Sequence, residues 1–209
     1  MGQQQSKPSA GRGQMNAMYI VLGIAVAAIL IFATLAAVFY QQAQDYRGSK
    51  YRAQYVLVED LISGITGLAG GIDAMANDSL TTGERTAAAY ASGATGEQVV
   101  MALVVLSEMY PVGDQKFQVF DALATGFHWL SGTISAGTLE LEAHGHDLNQ
   151  SINTSILNSV PILRNITQLL SAGIEIGRDY RESQYHVVAL MDLDALAAAA
   201  QELNDAQFP

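Results

Sequence analysis

Residues Val58–Met75 read VEDLISGITGLAGGIDAM, and their spacing decides the architecture. Val58, Leu61, Ile65, Leu68, Ile72 and Met75 follow one another in steps of 3-4-3-4-3, the period of a single apolar stripe on an α-helix. A seam of this kind predicts a helix that docks along another helix. Gly64, Gly67, Gly70 and Gly71 interrupt it, each costing about 1 kcal/mol relative to Ala, which is tolerable where a neighbouring backbone comes close.

The helical period recurs downstream. Asn77–Gly96 is rich in Ser, Thr, Gly and Ala and reads as loop around a short helix at 84–91. A helix over 97–110 carries Val99, Leu103, Leu106 and Tyr110 on one stripe and stops at Pro111 and Gly113. Asp114 can cap the next, where Phe117, Phe120, Ala124 and Phe127 repeat, and SGTISAG at 131–137 would end or kink it. Thr138–Glu142 is the only short alternating run. Leu148–Leu170 has Ile152, Ile156, Val160, Leu163 and Leu170 on one face, with Pro161 expected to kink or split the helix. A last helix over 174–205 aligns Ala189, Leu193, Leu196, Ala200 and Leu203. The expected fold class is all-α, an acidic bundle of about four to six helices.

Upstream, residues 13–44 hold no charged side chain, and Met18–Tyr40 (MYIVLGIAVAAILIFATLAAVFY) is almost wholly apolar. Its 23 residues would make a helix about 34 Å long, enough for a hydrocarbon core of roughly 30 Å. Tyr19 and Tyr40 fall where aromatic rings favour the headgroup zone. A cleaved signal peptide would have a shorter apolar region and a small-residue cleavage site, so a retained span is the reading. No second stretch is expected to qualify; the next best, Val99–Leu106, fits a buried core. Gly23/Ala27 and Ala33/Ala37 are small residues four apart, a spacing that lets helices approach closely in lipid. The organisation is therefore a polar tail at 1–16, a transmembrane helix at 17–41, a juxtamembrane linker at 42–53 and a bundle at 54–209.

The chain has 20 acidic and 10 basic side chains, and a charge of −10 argues against nucleic acid as a partner. The absence of cysteine excludes disulfides and thiolate chemistry. Lys7 and Arg12 before the span nearly balance Arg47, Lys50 and Arg52 after it, so basic residues do not orient it. Four of seven Asn open an N-x-[ST] triplet, namely Asn77, Asn149, Asn153 and Asn165. This excess points to glycosylation and to an extracytoplasmic C-terminal domain. Met1-Gly2-x-x-x-Ser6 also fits an N-myristoylation pattern, which would add little to an existing anchor.

Arg12-Gly13-Gln14 before the apolar helix resembles the processing site of archaeal type IV pilins and archaellins. The resemblance covers about 30 residues and implies cleavage after Gly13, with the apolar helix packing into a filament core. The chain departs from many bacterial pilins in carrying Met18 where they carry glutamate, and in a helical rather than β-rich body.

Glu142, His144 and His146 are the residue types of a metal site, and Gly145 would permit the turn needed to bring both imidazoles to one ion. A solvated acidic interhelical loop explains the same residues more simply, and no metal or cofactor is assigned. His128-Trp129 reads as an aromatic pair at a core edge and His186 as a bundle-edge residue. Neither a nucleophile elbow nor a phosphate loop nor a zincin motif is present, so no enzymatic activity is expected. The function expected is a single-pass structural or accessory subunit of a membrane or surface assembly. Its partners would be lipid and other proteins, or further copies, met through the span and the 58–75 seam. The alternatives are a pilin-like filament subunit and a ligand-sensing ectodomain lacking its own signalling region.

Overall fold

The computed structural model describes the backbone of residues 11–144, 148, 150–179 and 187–206. In α1 it describes side chains at 35, 38–42 and from 47 onward, and in α4 up to Glu175. Five α-helices and one 3-10 turn make up the described secondary structure: α1 (Gly11–Met75), α2 (Thr82–Glu108), α3 (Gln115–His144), α4 (Gln150–Asp179), the turn Val187–Leu190 and α5 (Leu193–Ala206). No strand occurs among the described residues, and the fold is all-α. Thr138–Glu142, despite its alternation, is helical within α3.

Two compact units divide the chain, Met1–Ser49 and Lys50–Pro209. The first carries the amino-terminal part of α1, with Leu35, Val38, Phe39 and Tyr40 exposed. Gly23, Ala27, Ala33 and Ala37 lie on this helix, but their side chains fall outside the described ones. By length and composition two described stretches are apolar enough to cross a membrane, Val38–Met75 and Thr82–Glu108, a measure that the core helix of a soluble bundle also meets. The expectation of one qualifying stretch is thus corrected. α2 joins the alanines of 87–94 to the apolar 99–106 in one helix, in place of the loop expected between 91 and 97.

In the second unit, the rest of α1 packs with α2–α5. All six members of the 58–75 seam are fully buried there, together with Leu103 and Leu106 of α2, Phe120, Phe127 and Leu130 of α3, Leu163 and Ile166 of α4, and Leu196 and Leu203 of α5. The seam is therefore occupied by the chain's own helices, and contact with a second protein must use other surface. α1 and α2 run antiparallel: Gly64 faces Val99 and Gly71 faces Ser92.

α2 is unbroken because its supposed breakers sit at helix contacts. Thr81 caps it, with Glu84 N–H donating to Thr81 Oγ1 at 3.4 Å and Thr81 N–H donating to Glu84 Oε2 at 2.9 Å. Ser92 is buried and returns its hydroxyl to Ala88 O, while Gly96 lies directly against Ser131. The same holds for α3, where Ser131 and Thr138 are buried and Gly137 lies under Met75, so 131–137 does not end it. α4 passes through Pro161 without interruption. Pro161 and Leu157, whose carbonyl loses its partner, are both exposed, so water can satisfy that group.

The expected helix over 174–205 is two elements, since α4 ends at Asp179 and α5 begins at Leu193. Asp192 is the start signal that periodicity passed over, its Oδ1 accepting from Ala195 N–H at 3.0 Å. Asp114 acts as expected on α3, accepting from Lys116 N–H at 2.8 Å, and Gly113 before it has φ +98°, which favours glycine.

Only some of the α1 glycines are needed for packing. A Cβ at Gly67 meets nothing within 4 Å, whereas one at Gly71 meets the Ser92 hydroxyl. Gly67→Ala should raise stability by about 0.5–1 kcal/mol through helix propensity. Gly71→Ala should show no such gain, because Ser92 must leave Ala88. Thermal unfolding of the two variants, followed by circular dichroism in detergent, checks the contrast.

Candidate interaction surface

α2 carries a second seam, on its outer side. Ala87, Ala91, Ala94, Gln98, Met101 and Val105 follow in steps of 4-3-4-3-4, and all six are exposed. Met101 is 63% exposed and Val105 42%. Glu84 precedes the row by three residues and Glu108 follows it by three, both exposed, and exposed Glu97 borders its middle. The spacing is that of a coiled-coil face, and the alanines leave room for a close neighbour. A row of exposed small and apolar residues of this length, interrupted only by Gln98, is the pattern of a helix-contact surface.

Shallow grooves flank the row. On one side Asp60, Ser63, Gly64 and Gly67 of α1 face Thr95, Gln98 and Ala102 of α2. On the other, Tyr90, Gly93, Ala94 and Glu97 of α2 face Ser135, Thr138 and Leu139 of α3. Leu139 is exposed, and the Tyr90 hydroxyl donates to Glu142 Oε1 at 2.6 Å beyond this groove's edge. That hydrogen bond, then the carboxylate's charge, raises the Tyr90 pKa above the usual phenol value.

Both ends of α2 are fastened to α1. Arg85, 3% exposed, donates from Nε to Met75 O at 2.8 Å and pairs with Asp78 at 3.2 Å. At the other end Lys50 Nζ donates to Met109 O at 2.7 Å. Each helix thus supplies a cation to the last carbonyls of the other, where such charge is favoured. Tyr110 completes the second fastening. Its hydroxyl accepts from Gln54 Nε2 at 2.7 Å, its ring lies 5.0 Å from Lys50 Nζ and 5.4 Å from Lys116 Nζ, and it stacks on Phe120. Burial, followed by the charge of Asp114, pushes the phenol far above its ordinary range.

His144 ends α3 exposed, Glu142 is engaged by Tyr90, and His146 lies outside the described residues. No group of three or more His, Asp or Glu suited to a metal occurs among the described residues. His128 and Trp129 meet edge to face at 6.1 Å, and both are exposed, unlike Phe127 beside them. His186 and Asn149 lie outside the described residues. Of the other N-x-[ST] sites, Asn77 stands in the α1–α2 turn, whereas Asn153 and Asn165 stand inside α4.

The outer seam is masked in the sequence by the Ser, Thr and Gly content of 77–96, which reads as loop on both sides of 84–91. Its 4-3-4-3-4 spacing was available in the sequence all the same. Neither a family model, nor a curated protein, nor a solved structure matches the chain.

Proposed function

We propose that the chain is a membrane-anchored assembly subunit, held by Met18–Tyr40, whose bundle binds a partner helix along the outer face of α2. The exposed, regularly spaced row Ala87–Val105 is the observation that supports this reading. Its borders select the occupant. Glu84, Glu97 and Glu108 would meet their own copies or one another if two α2 helices paired, and like charges there are repulsive. The surrounding body adds to this. All acidic side chains but Asp45, and all basic ones but Lys7, Arg12 and Arg47, lie in 50–209, leaving 19 against 7 and a net charge of −12. The fitting partner is a different protein with a small-residue apolar seam and Lys or Arg beside it. The span gives membrane location, and the excess of N-x-[ST] triplets favours an extracytoplasmic bundle.

A photo-crosslinking residue at Met101, in the full chain in its own membrane, tests the reading. The expected adduct maps to a basic-edged helix of another protein, and it disappears when Val105→Asp is added. The second change should cost under about 0.5 kcal/mol of stability, because Val105 is on the surface. An adduct to the chain itself, or none, overturns the proposal.

A further inference from the structure

The N-x-[ST] triplets at Asn77, Asn153 and Asn165 are equivalent as sequence and unequal as structure. In the turn after α1, exposed Asn77 accepts hydrogen bonds through Oδ1 from the Ser79 backbone N–H at 3.0 Å and from Ser79 Oγ at 2.8 Å. The two side chains that define an acceptor triplet are thus presented together. Both bonds use the carboxamide oxygen, leaving Nδ2, the atom that receives a glycan, out of them. Leu80 N–H donates to Asn77 O at 3.1 Å, and buried Arg85 holds Asp78, so the whole triplet is a formed surface turn.

Inside a helix the first and third residues of a triplet lie about 200° apart around the axis and cannot be offered to one enzyme. Asn153 is half-buried, its Oδ1 is enclosed without a hydrogen-bond partner, and Ser155 is in the core. A sugar on Asn153 would have to displace packing. Asn165 is exposed, but Thr167 is half-buried and donates its hydroxyl to Leu163 O at 2.9 Å.

We infer that Asn77 is an N-glycan acceptor of the folded protein and is occupied in preference to Asn153 and Asn165. The donor class is a lipid-diphosphate-linked oligosaccharide. Asn77 Nδ2 forms a bond to the anomeric carbon, the bond from that carbon to phosphate oxygen breaks, the lipid diphosphate leaves, and one amide proton passes to a base of the transferase. No electrons are exchanged with another reagent. The inference rests on the extracytoplasmic placement of the bundle proposed above.

The test produces the full chain in cultured mammalian cells with an added Asn-Ser-Thr reporter after Pro209. Enzymatic deglycosylation in heavy-oxygen water then marks each occupied Asn as labelled Asp for mass spectrometry. The expected result is label at the reporter and at Asn77, with occupancy at Asn153 and Asn165 at least fivefold lower. Ser79→Ala should reduce Asn77 occupancy at least tenfold and Ser79→Thr should retain it. A labelled reporter with bare Asn77, or with Asn153 or Asn165 occupied as fully as Asn77, overturns the site while leaving the placement intact. A bare reporter together with bare Asn77 overturns the placement, and the inference with it.

Discussion

Phe127→Ala should remove about 3–5 kcal/mol of the bundle's stability, the cost of deleting a large ring from a close-packed interior. Phe127 is among the largest fully buried side chains and lies in the middle of α3. Next to it a Cβ at Gly126 would meet Leu203 of α5, so α3 and α5 pack closely at this level of the bundle. Domains of this size are stable by only about 5–15 kcal/mol, so the variant should melt far earlier and lose most of its cooperative transition. Trp129, two residues on and 48% exposed, provides the control: Trp129→Ala should cost much less. Chemical denaturation of the detergent-solubilised chain, followed by circular dichroism, measures both. Equal losses would show that the ring of Phe127 is not tightly packed in the core.

Arg85→Met should cost about 2–3 kcal/mol, the upper end for a hydrogen bond from a charged donor. Met keeps most of the apolar stem but leaves the Met75 carbonyl without the Nε donor 2.8 Å away. The ion pair contributes a smaller share, since Asp78 is 89% exposed and water screens it. Asp78→Asn should therefore change stability by less than about 0.5 kcal/mol. Arg85→Lys should recover only part of the loss, because one ammonium replaces a guanidinium fork that reaches both groups. If Asp78→Asn proves as harmful as Arg85→Met, the attraction between the charges dominates and the carbonyl does not.

Sequence and structure agree where burial and spacing coincide. The Val58–Met75 stripe is buried as its period requires, and Pro111, Gly113 and Asp114 mark a real boundary between α2 and α3. They part where small polar residues carry two meanings. Ser92, Gly96, Ser131 and Gly137 lower helix propensity, yet each sits where another helix comes close, and tertiary contact outweighed the local preference. Pro161 misled for a related reason: its missing donor falls on the wet side of α4. The candidate surface is hidden for the first of these reasons, because helix must run unbroken from 87 through 105 before the alanines align with Met101 and Val105. Periodicity also joins the last residues of α4, 174–179, to α5, since Asp192 signals a start by hydrogen bonding and not by hydropathy.

The reciprocal cation caps between α1 and α2 bear on kinetics as well as on packing. With Lys50 closing one extremity of the hairpin and Arg85 the other, α2 cannot peel away from either tip without breaking a charge-assisted bond. A visitor to its outer ridge meets a helix whose conformational freedom is already gone, so little ordering opposes association. Loosening one tip should therefore quicken departure of a bound helix more than it slows arrival.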